Sequence, residues 1–460
     1  MNALVWVRRD FRLTDNAALS AAVANHDRVL LVYIHAPDEQ APWQPGAASN
    51  WWLHHTLIEF EKSLKGKHLH IVSAPTLPTL KKLIEQENIT DVYFNKLYEP
   101  ALIQQEKSIT LALEDNGVKV HGFDGALLCN PFMVAPSTNQ GYKVFTPYWR
   151  NASAFISPAP IFSAPSGWNA IVPSATSLSV NDLNLLSGHP WEKKFHAYWQ
   201  PGEQGALDDL DMFVESHAKD YPTQRDVPDI SGTSFLSAPL HFGEITPRQI
   251  WLRLHQEVLS QNLPSSPVEV FLRQLGWREF AHHVLVHNPH TANQPLDSKY
   301  KNFPWLNNPT HFNAWKKGRT GFPLVDAGMR QLWEMGWMHN RVRMSVSGVL
   351  CKQLGISWLD GAKWFWETLV DANLANNTLG WQWSAGCGAD AAPYFRILNP
   401  IRQAERFDPK GKYVKKWCPE LTPLKDKDIF EPHLTNHPQS YPSPLVDLKL
   451  ARLQALSRKK

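Results

Sequence analysis

Polar amides, glycine and tryptophan are concentrated in one segment, DANLANNTLGWQW, which runs from Asp371 to Trp383 in a region otherwise typical of helix. Asparagine and glycine both weaken a helix interior. Trp381 and Trp383 place two large rings beside these small and polar residues. Such a composition is poorly suited to plain packing, and the segment is therefore the first candidate for a functional site.

Three hydroxyl groups stand close together in GTSFLSAPL (232–240), where the pattern predicts the start of a helix. The residues are Thr233, Ser234 and Ser237. Hydroxyls and free backbone N–H groups at a helix N-terminus suit a phosphate or pyrophosphate. Ordinary N-capping explains the same residues and is the simpler interpretation when they are taken alone.

Arginine recurs in two further motifs, GWREF (276–280) and MHNRVRM (338–344). Arg341 and Arg343 are suited to binding phosphates or a buried carboxylate, because a guanidinium group pairs well with both. A solvated charged face is an equally good interpretation of these two residues.

Several other chemistries lack a matching pattern. His339 has no ligand partner at useful spacing, and His282 and His283 are adjacent and so point to different sides of a helix, which argues against a metal site. GCGADA (386–391) matches the dinucleotide-binding pattern G-x-G-x-x-A, but no strand precedes it, so we interpret the match as fortuitous. Walker, G-x-S-x-G and H-E-x-x-H motifs are absent from the sequence.

The composition is that of a globular protein, with 43% hydrophobic and 19% charged residues. A chain of 460 residues exceeds one ordinary core and predicts two or three domains. The formal net charge is only +3, so any contact with DNA must come from a local patch. The 20 tryptophans leave room for some that do more than pack the core.

Location is indicated by the cysteines and the N-terminal residues. The four cysteines (Cys129, Cys351, Cys387 and Cys418) show no C-x-x-C spacing, which predicts free thiols in a reducing cytoplasm. The N-terminal residues MNALVWVRRD form an opening strand rather than a secretory signal, because the apolar run is short and the positive charge follows it. No apolar run reaches the roughly 18 residues of a membrane span.

The elements that must position these residues fall into two patterns. Over residues 1–130, β-rich runs at 3–7, 28–35, 68–74, 91–94 and 118–123 alternate with helical stretches, which predicts an α/β domain with a doubly wound parallel sheet. Residues 131–195 include a stretch rich in proline, serine and alanine, which predicts a long interdomain linker. Residues 196–460 contain successive helical segments and predict a large all-α domain.

Five motifs in this order, WREF, GWMHNRVRM, DANLANN, GWQW and ADAAPYFRILNP, resemble the DNA photolyase/cryptochrome family. The similarity is dense from Tyr221 to Phe407 and looser over the N-terminal sheet. Within the family the chain is most similar to microbial cyclobutane pyrimidine dimer photolyases. GAASNWWLHH and KYKNFPW are similar to the class III branch, which is near the plant cryptochromes.

The resemblance implies an antenna-type α/β domain and a helical domain that holds FAD in a folded conformation. Asp371 is then the expected carboxylate partner of Arg343 beside the isoalloxazine, and Asn377 faces the flavin N5. Because an asparagine supplies no proton at neutral pH, Asn377 favours the fully reduced anionic flavin. The implied cofactor-binding residues are Tyr221, Thr233, Ser234, Phe235, Leu236, Ser237, Phe271, Arg278, Arg343, Asp371, Ala372, Asn373 and Asn377.

The same resemblance implies two roles for the tryptophans. Trp381, Trp358 and Trp305 correspond to an electron-transfer chain from the flavin to the surface. Trp277 and Trp383 correspond to the aromatic wall of a lesion pocket, where stacking of a base on an aromatic face contributes about 1–3 kcal/mol. This offsets part of the cost of flipping a damaged base out of the duplex.

The implied reaction begins when reduced FAD absorbs near-UV or blue light. It donates one electron to a flipped-out cyclobutane dimer, which splits and returns the electron. The implied catalytic residues are Trp277, Gln274, Asn377, Met344 and Trp383. The implied DNA-binding residues are Arg225, Gln274, Trp277, Asn340, Arg341, Trp383, Arg396 and Gln403, with Met344 at the lesion.

Some positions depart from the family pattern. Gln274 stands where many cyclobutane photolyases have a glutamate that supports the lesion radical, so we expect some loss of quantum yield. Asn373 replaces a frequent aspartate near the flavin. Asn95 and Glu99, in NKLYE, are similar to a folate-binding stretch, which predicts 5,10-methenyltetrahydrofolate as antenna, with a deazaflavin as the alternative.

Two functions from different classes remain open at this stage. The first is a deoxyribodipyrimidine photo-lyase that acts as a monomer on UV-damaged DNA, with no metal and no membrane. The second is a cryptochrome-like blue-light photoreceptor that signals through partners. A (6-4) photolyase would carry two histidines where this chain has Asn340 and Met344. Asn377 and the pocket tryptophans favour repair; Gln274 and the similarity to plant cryptochromes favour signalling.

Overall fold

Five parallel strands, joined by one short sixth strand, form the sheet of the N-terminal domain in the computed structural model, which describes residues 1–134, 141–156, 160–425, 427–435 and 440–458. Their order across the sheet is β3-β2-β1-β4-β5. Each predicted strand is present, with ends that differ by at most two residues, and the predicted α/β class is confirmed. The strands are β1 (Asn2–Val7), β2 (Arg28–His35), β3 (Leu69–Ser73), β4 (Ile89–Asn95) and β5 (Lys119–Phe123).

Helices cover both faces of this sheet, which explains why its central strands read as unbroken apolar runs. Along β1, Ala3, Val5 and Val7 pack into one buried cluster, and Leu4 and Trp6 pack into another on the opposite face. The alternation follows from the two-residue period of a strand. The covering helices are α1 (Ala17–Asn25), α2 (Ala47–Ser63), α3 (Thr76–Glu87) and α4 (Pro100–Glu114).

The stretch predicted as a linker contains ordered structure that its composition did not indicate. Helix α5 (Phe145–Ala152) lies in it, and a short strand, β6 (Asn169–Ala170), pairs in parallel with the first residues of β2. Residues 135–140 and 157–159 of the predicted linker lie outside the described residues. The domain limits at 130 and 196 stay a prediction.

The remaining chain is helical, as predicted, and its helices pack around a large core that includes Trp315, Trp358 and Trp381. A π-helical turn, Val349–Gln353, follows α13 where the sequence predicts continuous helix. The helices are α6 (Glu203–Ser216), α7 (Tyr221–Gln224), α8 (Ser237–Phe242), α9 (Pro247–Leu259), α10 (Ser265–His287), α11 (Pro309–Lys316), α12 (Pro323–Met335), α13 (Asn340–Gly348), α14 (Trp358–Thr368), α15 (Leu374–Ala385), α16 (Pro400–Phe407), α17 (Lys412–Trp417) and α18 (Leu448–Ser457).

The α/β and helical parts share one buried surface. Trp52 of α2 stacks on Phe242 of α8, and its indole N–H donates to Glu244 Oε1 at 2.8 Å. Arg12 donates from Nη1 to the carbonyl of Gly243 at 2.7 Å. Burial raises the pKa of the Glu244 carboxyl to about 7. The contact between the two parts is therefore a packed core rather than a flexible hinge.

Two further properties concern the described residues as a whole. Every cysteine lies among them, is buried and forms no disulfide, which confirms the predicted free thiols. None of their helices is both long enough and apolar enough to cross a membrane.

Candidate functional site

An arginine–aspartate ion pair joins α13 to the segment between α14 and α15. Arg343, in α13, donates from Nη2 to both carboxylate oxygens of Asp371, at 3.1 and 2.8 Å. Its Nε donates to the carbonyl of Met338 at 2.7 Å. The Asp371 side chain is 5% exposed and that of Arg343 is 26% exposed. The guanidinium is therefore held in one orientation with part of its surface left open.

The amides of DANLANNTLGWQW have specific structural partners in and beside α15. Asn373 caps this helix, because its Oδ1 accepts from the backbone N–H of Asn376 at 3.1 Å. Asn377 donates from Nδ2 to the carbonyl of Ala362 in α14 at 3.0 Å. Residues that weaken a helix interior are thus used as a cap and as a tie between two helices, and the half-buried Asn377 is fixed in place.

The hydroxyl-rich segment 232–237 lies just before α8. This helix begins at Ser237, and its N-cap residue, Leu236, makes no side-chain capping bond. Thr233 and Ser234 are half-buried, and Ser237 is exposed. Ser234 Oγ instead accepts a long hydrogen bond from the backbone N–H of Leu236, at 3.5 Å, so one hydroxyl is used at the start of α8, and the phosphate-binding role of the three hydroxyls stays a prediction.

Aromatic and basic side chains next to this segment are buried. Tyr221 and Phe271 pack edge to face with ring centroids 5.1 Å apart, in a cluster that also contains Leu236. Arg278 donates to the carbonyls of Ala126 at 2.8 Å and Leu240 at 3.2 Å. Burial lowers the pKa of the Arg278 guanidinium. The buried Ala372 adjoins Asp371 in sequence.

The three tryptophans of the implied electron chain belong to one hydrophobic cluster. Trp381 is 2% exposed and Trp358 is 4% exposed, whereas Trp305 is partly exposed and packs against the same cluster. Gly361, one turn after Trp358, admits the Trp381 ring, which would overlap any side chain at that position. Burial thus decreases from Trp381 and Trp358 to Trp305, as a path toward the surface requires.

Trp277 stacks on a residue that the sequence did not single out. Its ring lies 3.8 Å from that of Phe145, centroid to centroid, with 8° between the planes. Phe145 begins α5, and the next turn of α5 brings Trp149 against Gly276, where an added Cβ would lie 2.6 Å from the indole ring. The signal available in the sequence was FTPYWR, aromatic residues at helical spacing inside the predicted linker.

A small cavity is lined by three of the implied lesion-contacting residues, Met344, Trp383 and Arg396. Gly348 of α13 also lines it; this glycine is buried, yet a Cβ at its position would meet nothing within 4 Å. The cavity therefore lies against α13 and α15, the helices that carry Arg343 and Asn377.

The remaining implied DNA-binding residues lie on α10, α13 and α16 and at the end of α7. Arg225 donates from Nη2 to Gln274 Oε1 at 3.1 Å. Arg341 forms a two-point ion pair with Asp226. Arg225 Nε lies 3.6 Å from Asp226 Oδ1, so an ion pair links Arg225 and Gln274 to Arg341 through Asp226. Asn340 is exposed at the start of α13, and Gln403 is half-buried on α16.

The implied antenna residues are buried in the α/β domain. Asn95 donates to Asp10 Oδ2 at 2.6 Å and to Asn16 Oδ1 at 2.8 Å, and Glu99 pairs with Arg9 through both oxygens. A separate cavity of about 790 Å³ opens at the carboxyl ends of β1 and β2. Open α/β sheets bind ligands at this edge. Its lining includes Arg8, Tyr33, His35, Gln105 and Trp366, and neither Asn95 nor Glu99.

The donor set of the helical domain fits a flavin dinucleotide. A half-open guanidinium, fixed amides and hydroxyls at the start of a helix suit the polar edge of a flavin and a pyrophosphate. No group of three His, Cys, Asp or Glu side chains within the described ranges is arranged to hold a metal ion. Together the sheet and this site define a flavin-binding protein with an α/β domain and a helical cofactor domain.

Comparison with known proteins agrees with this class. Residues 271–460 match the family model described as the FAD binding domain of DNA photolyase, and residues 3–165 match the model described as DNA photolyase. A deoxyribodipyrimidine photo-lyase of Agrobacterium fabrum is 40% identical, over 99% of this chain and 96% of its own. Cryptochrome-1 of Arabidopsis thaliana is 33% identical, over 98% of this chain and 69% of its own.

Among solved structures, the crystal structure of a bacterial class III photolyase from Agrobacterium tumefaciens has a TM-score of 0.95 and 39% identity, and the match covers 99% of this chain and 96% of that one. The chain belongs to the DNA photolyase/cryptochrome family. The family membership and fold class predicted from sequence are confirmed, and the C-terminal part is an FAD-binding domain. The roles of individual site residues stay predictions.

Proposed function

We propose that this protein is a light-dependent enzyme that repairs cyclobutane pyrimidine dimers in DNA. One observation carries the proposal: the cavity lined by Met344, Trp383 and Arg396 adjoins the two helices that bear Arg343 and Asn377. A lesion bound at the mouth of this small cavity would lie beside a flavin held by those helices. The deoxyribodipyrimidine photo-lyase from Agrobacterium fabrum, similar over nearly its whole length, supports the same activity.

FAD bound in the helical domain supplies the light-driven electron chemistry. Arg343, tied to Asp371 and to the Met338 carbonyl, contributes a fixed positive charge beside the isoalloxazine. Asn377 offers an amide rather than a carboxylic acid and therefore delivers no proton at neutral pH. Both side chains are already fixed by the protein, so the site electrostatics require no rearrangement when light arrives.

The remaining residues position the lesion and resupply electrons. Trp277 and Trp383 offer aromatic faces on which extruded bases stack, worth about 1–3 kcal/mol per base. Gln274 donates an amide hydrogen bond to the lesion without the acidity of a glutamate. Trp381, Trp358 and Trp305 form the route by which electrons reach the cofactor from the surface.

An antenna chromophore is the second ligand that we propose, 5,10-methenyltetrahydrofolate or, as the alternative, a deazaflavin. Asn95 donates through Nδ2 and Glu99 accepts through both oxygens inside the protein, whereas the buried Asn95 Oδ1 has no partner among the described residues. The cavity at the sheet edge is lined by two buried polar atoms, Gln105 Oε1 and Arg8 Nε, that have no hydrogen-bond partner among the described residues. We therefore place the antenna in that cavity.

A cryptochrome-like photoreceptor is the competing function, favoured by the similarity to Arabidopsis cryptochrome-1 and by Gln274 at a position where repair benefits from an acid. The deciding experiment illuminates the reduced protein with dimer-containing single-stranded and duplex DNA and measures the dimers that remain. Repair predicts light-dependent loss of dimers and none in the dark. If the protein binds FAD but dimers persist under light, the photoreceptor replaces our proposal.

A further inference from the structure

Two arginines that we assign to DNA binding share one carboxylate, that of Asp226. Arg341 donates from Nε to Asp226 Oδ1 and from Nη2 to Oδ2, both at 2.8 Å. Arg225 Nε lies 3.6 Å from Asp226 Oδ1, and its Nη2 donates to Gln274 Oε1. The four side chains form one connected group across the end of α7, α10 and α13.

This group lies at the protein surface rather than in the core. The side chains of Arg225, Asp226 and Arg341 are 21%, 32% and 28% exposed. Ion pairs with this much solvent contact add little to folding stability. Rings cover one side of each guanidinium, since Arg225 lies over Tyr221 and Arg341 lies over Phe407. The arrangement thus fixes the direction of two cations more than it stabilises the fold.

The pairing decides which part of Arg341 is left for DNA. The Nε–Nη2 edge, which would otherwise grip a phosphate at two points, is occupied by Asp226. The remaining nitrogen, Nη1, lies 3.6 Å from the sulfur of Met344, a residue that lines the lesion cavity. Asp226 therefore directs the free donors of Arg341 toward the lesion and away from an ordinary backbone phosphate.

The charges around the group leave Asp226 as its only anion among the described contacts. Nearby His339 caps α13 through its Nδ1, and burial lowers its pKa to about 4, so it is neutral at pH 7. The nearby Asp229 faces Lys412 instead, with its Oδ2 at 4.0 Å from Lys412 Nζ. The Arg341 pair holds the pKa of Asp226 below its usual value despite partial burial. Asp226 is thus ionised at neutral pH and cancels part of the charge offered to DNA.

We propose that Asp226 sets the discrimination between damaged and undamaged DNA by occupying the phosphate-gripping edge of Arg341 and orienting this arginine toward the lesion cavity. The inference rests on the proposed DNA-repair function. Asp226 is a positioning residue, since it acts through Arg341 and contacts neither lesion nor flavin. Neutralising it should release the arginine to any phosphate within reach.

The test compares Asp226→Asn with wild-type holoenzyme by fluorescence anisotropy on two duplexes of identical sequence, one with a single thymine dimer. For the undamaged duplex we expect the affinity to rise about three- to tenfold at about 50 mM salt. The slope of log K against log salt should become steeper by up to about 0.9, which corresponds to one additional phosphate contact. Affinity for the damaged duplex should rise less, so that the ratio of the two affinities falls.

Two controls isolate the mechanism. Asp211→Asn removes the same charge from an exposed pair with Arg253 elsewhere on the helical domain and should leave the ratio unchanged. In an Arg341→Gln background, Asp226→Asn should have no further effect. An unchanged ratio and salt slope in Asp226→Asn, with flavin content intact, would overturn the inference. Failure of the wild-type protein to prefer damaged DNA would instead refute the proposed function.

Discussion

The stack between Phe145 and Trp277 gives the sharpest prediction about lesion recognition. Phe145 is 1% exposed and covers one face of Trp277 at a centroid separation of 3.8 Å. Phe145→Leu keeps an apolar side chain in the site but removes the stacking partner. We expect Trp277 to lose its fixed orientation, and binding of the extruded dimer to weaken as a result.

The magnitude follows from the contacts that are lost. An aromatic pair contributes about 0.5–1.5 kcal/mol beyond its burial, and a volume-conserving core substitution costs under about 1.5 kcal/mol. The free energy of unfolding should therefore fall by about 1–2 kcal/mol. If about 1 kcal/mol of base stacking depends on the orientation of Trp277, affinity for dimer-containing DNA should fall about fivefold, with affinity for undamaged DNA unchanged.

Fluorescence anisotropy with damaged and undamaged duplexes, together with urea denaturation, measures both effects. Phe60→Leu is the matched control, because Phe60 is 3% exposed and has an edge-on aromatic contact with Phe11 in the α/β domain. It should lower stability by a similar amount and leave lesion affinity alone. Equal affinity of Phe145→Leu and wild type for damaged DNA would refute the claim that α5 positions Trp277.

Three further predictions concern the electron chain, the ion pair and a buried acid. Trp381→Phe should abolish most photoreduction of oxidised flavin yet leave repair by chemically reduced enzyme nearly intact, as measured by flavin absorbance and dimer loss; slowing of both would contradict the assigned role. Asp371→Asn should lower the free energy of unfolding by about 2 kcal/mol, less than for a fully buried pair because Arg343 is partly exposed, and should reduce FAD content; full retention of flavin would refute its placement there. The pKa of Glu244 is raised to about 7, so the folded protein keeps a proton that the unfolded chain releases near its ordinary value, and stability falls as pH rises through that window. In urea denaturation, the free energy of unfolding of Glu244→Gln relative to wild type should therefore rise by up to about 3 kcal/mol between pH 5 and pH 8. A difference between the two proteins that stays constant over this range would show that Glu244 does not titrate there.

Local sequence patterns determined the two-part fold. Unbroken apolar runs such as ALVWV and RVLLVYIH alternate with amphipathic stretches, and only a parallel sheet covered by helices buries both faces of such strands. Ordered motifs then indicated the family, and with it the pairing of Arg343 with Asp371, which lie 28 residues apart and are found in contact. Patterns of this kind can be recognised in a sequence because each depends on residues that are close together along the chain.

Other features were decided by docking of distant segments. Phe145 reaches Trp277 only because a helix inside the predicted linker packs on α10, and composition indicated a linker rather than a packed helix. Asp226 meets Arg341 across 115 residues, and no local pattern marks that carboxylate. Of the hydroxyls before α8, only that of Ser234 was found to accept a backbone N–H at the start of this helix, which the spacing of the residues did not indicate.

The sequence by itself thus determined the strands of the sheet, the division into sheet and helices, the family and the types of residue at the site. The tertiary structure alone decided which face of Trp277 is covered, which edge of Arg341 is occupied and where a cavity of about 790 Å³ opens at the sheet edge. The physical reason is that periodicity reports burial of one element, whereas a contact between two elements depends on how both are packed by all the others.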